Sequence, residues 1–169
     1  GLIWISPQED AEELDKVVES GIKLAIVGPA PLNGEFVNVR TDETLAGRMA
    51  MGHLIVCGAR RILVVIPEYK RREQATVERL EGVAKAVKDF TDPGLGFDTL
   101  YLPNDSAKAH EAFRKHVQKA GAPEGILTLG EQMPFVILPE LAALKIRIPE
   151  QTRLVGFEEN LTFVLTAPA

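Results

Sequence analysis

The chain has 169 residues, of which 46% are apolar and 25% charged, with a net charge of −5; this is the make-up of a globular protein of one ordinary domain or two small lobes. The acidic balance gives no footprint for nucleic acid, since gripping a duplex needs enough Lys and Arg to displace several counterions from phosphates, so this stretch is not expected to read DNA itself. Cys57, the single cysteine, excludes an internal disulfide and a multi-thiolate metal site and is expected to be a small core residue. No run approaches the roughly 20 apolar residues of a bilayer-spanning helix.

Strand-like and helix-like segments alternate with little between them, the pattern of an α/β protein with a mostly parallel, doubly wound sheet. Gly1–Ser6 already reads as a strand, with no initiator Met and no signal peptide, and Thr166–Ala169 follows an apolar stretch without a closing helix. The chain is therefore expected to be a fragment at both ends. A helix over Glu9–Ser20 has acidic residues in its first turn and Gly21 as its stop. Leu24–Val27 and Phe36–Val39 are expected strands, separated by a loop from Gly28 to Gly34. A helix capped by Asp42 follows, with Leu45, Met49 and Val56 on one face and Gly58 at its end. The unbroken run Ile62–Ile66 is expected to be a strand covered on both faces.

Beyond it, Pro67–Arg71 is a polar loop, and Gln74–Phe90 a helix with Val77, Leu80, Ala84 and Val87 turned inward. Gly82 interrupts that helix, where its use is close approach of another element. Thr99–Leu102 is the next strand, then a helix over Ala107–Ala120 with Phe113 and Val117 on one side, a strand at Ile126–Leu129, a helix over Gln132–Leu144, and a last strand at Arg153–Phe157. The helix near residues 133–144 is apolar around most of its circumference. Such a helix is either deeply buried or part of a subunit interface; the interface is the favoured reading, with Phe135, Val136 and Leu138 at the contact. Pro134 suits a first-turn position, whereas Pro139 is expected to kink or divide the helix.

Motifs for chemistry are largely missing. Ser6, Ser20 and Ser106 lie in no nucleophile elbow, no phosphate loop of the G-x-x-x-x-G-K type is present, and Gly94-Leu95-Gly96 follows a helix where a dinucleotide loop would follow a strand. His53 reads as a structural histidine of a packed helix, His110 and His116 as surface positions, and their spacing gives no support to a metal site. The triplets Asn104-Asp105-Ser106 and Asn160-Leu161-Thr162 match a glycosylation acceptor only by chance, and Lys70-Arg71-Arg72 reads as a solvated loop. No cofactor or metal is expected. What remains is a set of polar residues at strand ends and helix starts, where ligands bind in doubly wound sheets. They are Asp42, Glu68, Tyr69, Glu131, Gln132, Glu158, Glu159 and Asn160, with Arg79 near the start of its helix. Carboxylates that accept hydroxyl hydrogen bonds and a guanidinium that donates in a planar fork suit a polyhydroxylated or zwitterionic small molecule.

Three stretches together resemble the lactose-repressor/galactose-repressor family of bacterial transcription regulators. They are Asp42-x4-Gly47-Arg48-Met49-Ala50-x2-His53-Leu54-x3-Gly58-x-Arg60-Arg61-Ile62, Arg79-Leu80-Glu81-Gly82, and Ile148-Pro149-Glu150 followed by Leu154-Val155-Gly156-Phe157-Glu158. The resemblance implies an effector domain of two lobes with a periplasmic-binding-protein-like fold, behind a helix-turn-helix head and hinge helix that this chain does not include. It implies that residues 1–41 belong to the N-terminal lobe, 42–160 to the C-terminal lobe, and 161–169 to the return into the first lobe. Arg79 matches the family's effector-binding arginine, and Glu158 stands where an effector-binding aspartate is usual. Two positions depart from the family: Gly130-Glu131 replaces an Asn-Asp pair, and Gly28 replaces an aspartate.

The expected function is that of an effector-sensing, non-enzymatic domain of a cytoplasmic regulator. It forms a homodimer, binds a small polar metabolite between its lobes through Arg79, Glu158, Glu131, Asp42, Tyr69 and Glu68, meets operator DNA only through the absent head, and has no membrane partner. Replacing Arg79 with Ala is expected to abolish effector binding without moving the melting temperature. The alternatives are an extracytoplasmic solute receptor feeding a transporter and, more remotely, a small α/β enzyme.

Overall fold

In the computed structural model the described residues are 1–5, 11–28 and 35–157. The chain divides into two compact units, Gly1–Asp42 and Glu43–Ala169. The first contains β1 (Leu2–Ile5), α1 (Ala11–Glu19), β2 (Leu24–Val27) and β3 (Val37–Val39). Its strands pair in parallel in the order β1-β2-β3. Leu24 and Ile26 are buried against Trp4, Val17, Val18 and Phe36. The alternate positions Ile3, Ile5, Val37 and Val39 are exposed, as the two-residue period of a strand requires when only one face is covered.

The second unit carries α2 (Glu43–Val56), β4 (Arg61–Pro67), α3 (Gln74–Asp89), β5 (Gly96–Leu102), α4 (Ser106–Ala120), β6 (Gly125–Thr128), α5 (Met133–Ala143) and β7 (Arg153–Gly156). Its four strands are all parallel in the order β5-β4-β6-β7. β4 is central and buried from Ile62 to Pro67. Its even-numbered residues Ile62, Val64 and Ile66 pack under Met51, Leu54 and Ile55 of α2 and Val83 and Ala86 of α3. The odd-numbered Leu63 and Val65 pack under Phe113 and Val117 of α4 and Val136, Ile137 and Leu141 of α5. A strand apolar at every position is thus explained by two core layers, one on each face.

Gly47 and Gly82 set the spacing of α2 against α3. A Cβ on Gly47 would overlap the backbone of Arg79, and one on Gly82 would overlap the carbonyl of Thr44. The close approach expected at Gly82 is therefore to α2, and it sets the start of α2 against the Arg79–Gly82 turn of α3.

The helix faces differ from the sequence expectation in several places. Leu45, Met49 and Val56 are 50%, 66% and 77% exposed, while Met51, Leu54 and Ile55 are the core residues of α2. Because α2 is apolar on both sides, spacing alone did not select the buried one. In α3 the inward face is Thr76, Gly82, Val83 and Ala86, with Leu80 and Val87 beside it. Val77 and Ala84 point outward, because contact through Gly82 turns its side of the helix toward α2. Cys57 is only half-buried, and exposed His53 lies one turn from it with Nε2 3.6 Å from Sγ. Pro134 occupies the first turn of α5, and Pro139 lies inside one continuous helix without dividing it.

Candidate functional site

The parallel sheet of the second unit ends its strands on one edge, at Pro67, Leu102, Thr128 and Gly156. Parallel pairing gathers the following loops and the first turns of the next helices on that same edge. Arg79 lies about one turn inside α3, and the Gly47–Gly82 crossing places it against the start of α2. Its Nε donates to Glu43 Oε2 at 2.6 Å, with side chains only 16% and 14% exposed. The guanidinium lies over the ring of Phe157, just past β7, at 4.3 Å, within cation–π range. Arg79 is thus held by two elements distant from it in sequence. Its two Nη groups make no hydrogen bond to side chains or backbone among the described residues.

A second ion pair lies beside it. Lys70, at the end of the 3₁₀ turn Glu68–Lys70, donates to Glu131 Oε2 at 2.9 Å. Lys70 is 17% exposed and Glu131 31%. The hydrogen bond from Lys70, helped by the Glu131 backbone N–H and by the charges of Lys70 and Arg79, holds the Glu131 carboxyl below its ordinary range against the opposing effect of burial. Burial, the largest single influence, pulls Lys70 down, but the bond to Glu131 and the charges of Glu131, Glu73 and Tyr69 together raise it. Both groups are charged at neutral pH. The residue before Glu131 has no room for a side chain, since a Cβ on Gly130 would press on the Pro67 ring; the charged group on this loop therefore comes from position 131.

The remaining sequence candidates are looser. Glu68 meets Arg71 at 3.3 Å with both side chains about half exposed, a pair of little energetic weight. Tyr69 is 48% exposed, with its ring 6.0 Å from the Lys70 ammonium. Asp42 is exposed at the end of the first unit. Glu158, with Glu159 and Asn160, lies outside the described residues. Tyr69 and Glu131 also line a recess of about 380 Å³ between the starts of α4 and α5, shared with Asn104, Ser106, His110 and Phe135.

Besides Glu43, several residues escaped the sequence reading. Lys70 was assigned to a solvated loop, yet it is among the least exposed cations of the unit. His110, expected on the surface, has Nδ1 2.9 Å from Glu140 Oε1. Glu140 is 4% exposed and also accepts two bonds from Arg114, at 2.6 and 2.9 Å. The signal was present: one carboxylate in an otherwise apolar helix needs a partner, and His110 and Arg114 stand four apart on α4, one turn from each other. Of the proposed interface residues, Val136 is 8% exposed and belongs to the core, while Phe135 and Leu138 are half-buried.

The second unit is thus an α/β domain with an all-parallel sheet covered on both faces and half-buried charges collected at the sheet's carboxyl edge. Residues 51–169 match the periplasmic binding protein-like domain, and the chain belongs to that family. No curated protein sequence matches it. Among solved structures it is similar to a sugar-binding LacI-family transcriptional regulator from Escherichia coli complexed with phosphate, at 17% identity and a TM-score of 0.77, covering 99% of this chain and 60% of that one. It is similar to a LacI-family regulator from Enterococcus faecium with bound ribose, at 20% identity and a TM-score of 0.73, covering 93% and 58%. A third likeness is to the transcriptional regulator CelR in complex with cellobiose, at 25% identity and a TM-score of 0.72, covering 95% and 49%. The chain therefore spans about half to three fifths of the length of these structures. The expected periplasmic-binding-protein-like fold is the observed one, and these structural neighbours are transcriptional regulators. Among the described residues no helix is long and apolar enough to cross a membrane.

Proposed function

We propose that this chain is part of the effector-sensing domain of a bacterial LacI-type transcription regulator. Residues 1–41 belong to its N-terminal lobe, and the second unit forms most of the C-terminal lobe. The carboxyl edge of the β5-β4-β6-β7 sheet binds a small polar metabolite, and the domain does no chemistry on it. The protein works in the cytoplasm as a homodimer, with Phe135 and Leu138 on the contact surface, and reaches operator DNA through a separate helix-turn-helix head. The observation that carries the reading is Arg79: a half-buried guanidinium oriented by Glu43 and Phe157, with its Nη fork uncommitted among the described residues, at the edge where doubly wound sheets take ligands. Phosphate, ribose and cellobiose in the solved structures of similar fold support a small polar ligand. An effector acts on such a regulator only through its differential affinity for two arrangements of the domain.

The test is a metabolite screen by thermal shift, followed by calorimetry on the wild type and on Arg79→Gln combined with Glu43→Gln, which avoids leaving either charge unpaired. The wild type is expected to bind one metabolite class with a loss of at least about tenfold in the double variant, or 1.4 kcal/mol; unchanged affinity overturns the reading. A solute receptor for a transporter is the second reading, favoured by a structural relative described as both periplasmic binding protein and LacI regulator. A signal peptide encoded upstream of Gly1 would select it, and a helix-turn-helix would exclude it.

A further inference from the structure

We propose that the ligand of the carboxyl-edge site carries a carboxylate or phosphate, and that Glu131 is a built-in counter-ion which this anionic group displaces. The inference rests on the reading of that edge as the effector site and adds the chemical class of the effector.

Four charged side chains meet at this edge, and they are not equally committed. Arg79 and Glu43 are each about 15% exposed and held by a short bond. Lys70 is nearly as buried, at 17%, whereas Glu131 is the most exposed of the four at 31%. Glu131 is also carried by a loop, following Gly130 and preceding α5. It is the member of the set that can swing away at the smallest cost.

The cations, in contrast, stay where they are. Lys70 Nζ is 2.9 Å from Glu131 Oε2, and the Arg79 charge also bears on the same carboxyl. A ligand that moves Glu131 aside must supply what it took from Lys70. A neutral hydroxyl leaves a half-buried ammonium without its hydrogen-bonded carboxylate, with only the weaker charge of Glu73 to offset it, and an under-compensated buried charge is penalised. A carboxylate or phosphate restores the pairing. It also offers two oxygens to the planar Nη fork of Arg79, which Glu43 engages only through Nε. A ligand that instead leaves Glu131 in place meets a carboxylate already bonded to Lys70, so that ammonium is not offered to it.

Glu131 therefore acts as an occupant in the absence of effector and as a selectivity element in its presence. Removing its charge while keeping its size removes the competitor. Because Lys70 then keeps only the weaker charge of Glu73 and loses its hydrogen-bonded carboxylate, affinity for oxyanions rises; removing Lys70 has the opposite effect.

The test is calorimetry on the purified protein with matched neutral and anionic probes, D-ribose against D-ribose 5-phosphate and D-glucose against D-gluconate, with inorganic phosphate alone as a fifth titrant. The wild type, Glu131→Gln and Lys70→Met are compared, each with a ligand-free melting curve. The anionic member of at least one pair is expected to bind about tenfold or more tighter than its neutral partner. Glu131→Gln is expected to strengthen that binding and binding of phosphate by about tenfold, and Lys70→Met to weaken both by at least as much. Preference for the neutral members, an unchanged oxyanion affinity in Glu131→Gln, or no binding of any oxyanion overturns the inference. If neutral probes bind and the Arg79→Gln/Glu43→Gln variant loses them, the effector site stands and only the anionic class fails. If no probe binds and no rim variant alters binding of any metabolite found by screening, the effector reading fails with it.

Discussion

Two clusters of half-buried charge in the second unit use the same residue types for opposite purposes. In the clamp between α4 and α5, the carboxylate is the buried member: Glu140 is 4% exposed and accepts three bonds from Arg114 and His110. Arg114, half exposed, covers it from the solvent side. At the sheet edge the order is reversed for Lys70 and Glu131, the cation being the deeper partner and the carboxylate the looser one. Arg79 there is held by Glu43 through one nitrogen, with its Nη fork left over among the described residues. A fully satisfied charge joining two helices serves as framework, whereas a fixed cation with donors to spare is what the proposed ligand site uses. Burial of the anion against burial of the cation, and satisfaction against spare donors, separate the two where residue identity does not.

The largest effect expected from breaking this comparison at its base is that of Gly47→Ala. The added methyl overlaps the backbone of Arg79 and forces α2 and α3 apart, destabilising the second unit by about 3 kcal/mol or more and disturbing the edge site while leaving the clamp alone. Because the sole tryptophan, Trp4, lies in the first unit, urea unfolding should be followed by far-ultraviolet circular dichroism.

Next comes the clamp. Arg114→Ala leaves the buried Glu140 carboxylate with His110 as its remaining partner and is expected to lower the midpoint of urea unfolding clearly below that of the wild type. Arg114, ahead of His110, keeps the Glu140 pKa below the ordinary carboxylate value against the pull of burial. The stability this contributes is present above the unfolded-state pKa, near 4.3, and is lost as pH falls through the depressed folded-state value. Glu140→Gln should therefore flatten the acid limb of the stability curve, and an acid limb identical to wild type would show that the clamp carries no such linkage. Neither clamp variant should change the affinity for an edge-site ligand.

Arg79→Ala sharpens the contrast from the other side. The sequence alone led to the expectation of no change in melting temperature, but Glu43, at 14% exposure, loses its partner in this variant. A stability loss of about 2 kcal/mol is expected together with the loss of ligand, and Arg79→Gln/Glu43→Gln should recover most of the stability but not the binding. Smallest of all, Asp105→Ala removes the side-chain oxygen that accepts from the Lys108 N–H at the start of α4 and should cost about 1 kcal/mol without affecting either cluster's behaviour.

Much of this fold was legible before any coordinates. The unbroken run from Ile62 to Ile66 demanded cover on both faces, the glycine at 82 demanded a close neighbour, and from residue 43 onward helix and strand alternated. What the sequence could not show was which side of an all-apolar helix is inside. For α2 the answer came from the crossing through Gly47 rather than from periodicity, so Leu45, Met49 and Val56 were placed on the wrong face. The site was legible as positions at strand ends but not as partnerships. Arg79 and Glu131 were named singly, whereas Glu43 and Lys70, their ion-pair partners, lie 36 and 61 residues away from them. Nothing local in a sequence records such a meeting. The Glu140 clamp is a different case, since a lone carboxylate in α5 and a His–Arg pair one turn apart in α4 were visible and only their contact was not.

The most direct measurement of the account is amide hydrogen exchange of the protein with and without a metabolite found by screening. Added protection concentrated in residues 43–48, 68–80 and 129–132, with the clamp helices over 106–120 and 133–143 unchanged or following more weakly, is the result predicted for a ligand held at the sheet edge. Protection confined to the clamp helices, with the loop around Lys70 and the first turns of α2 and α3 unaffected, would contradict it.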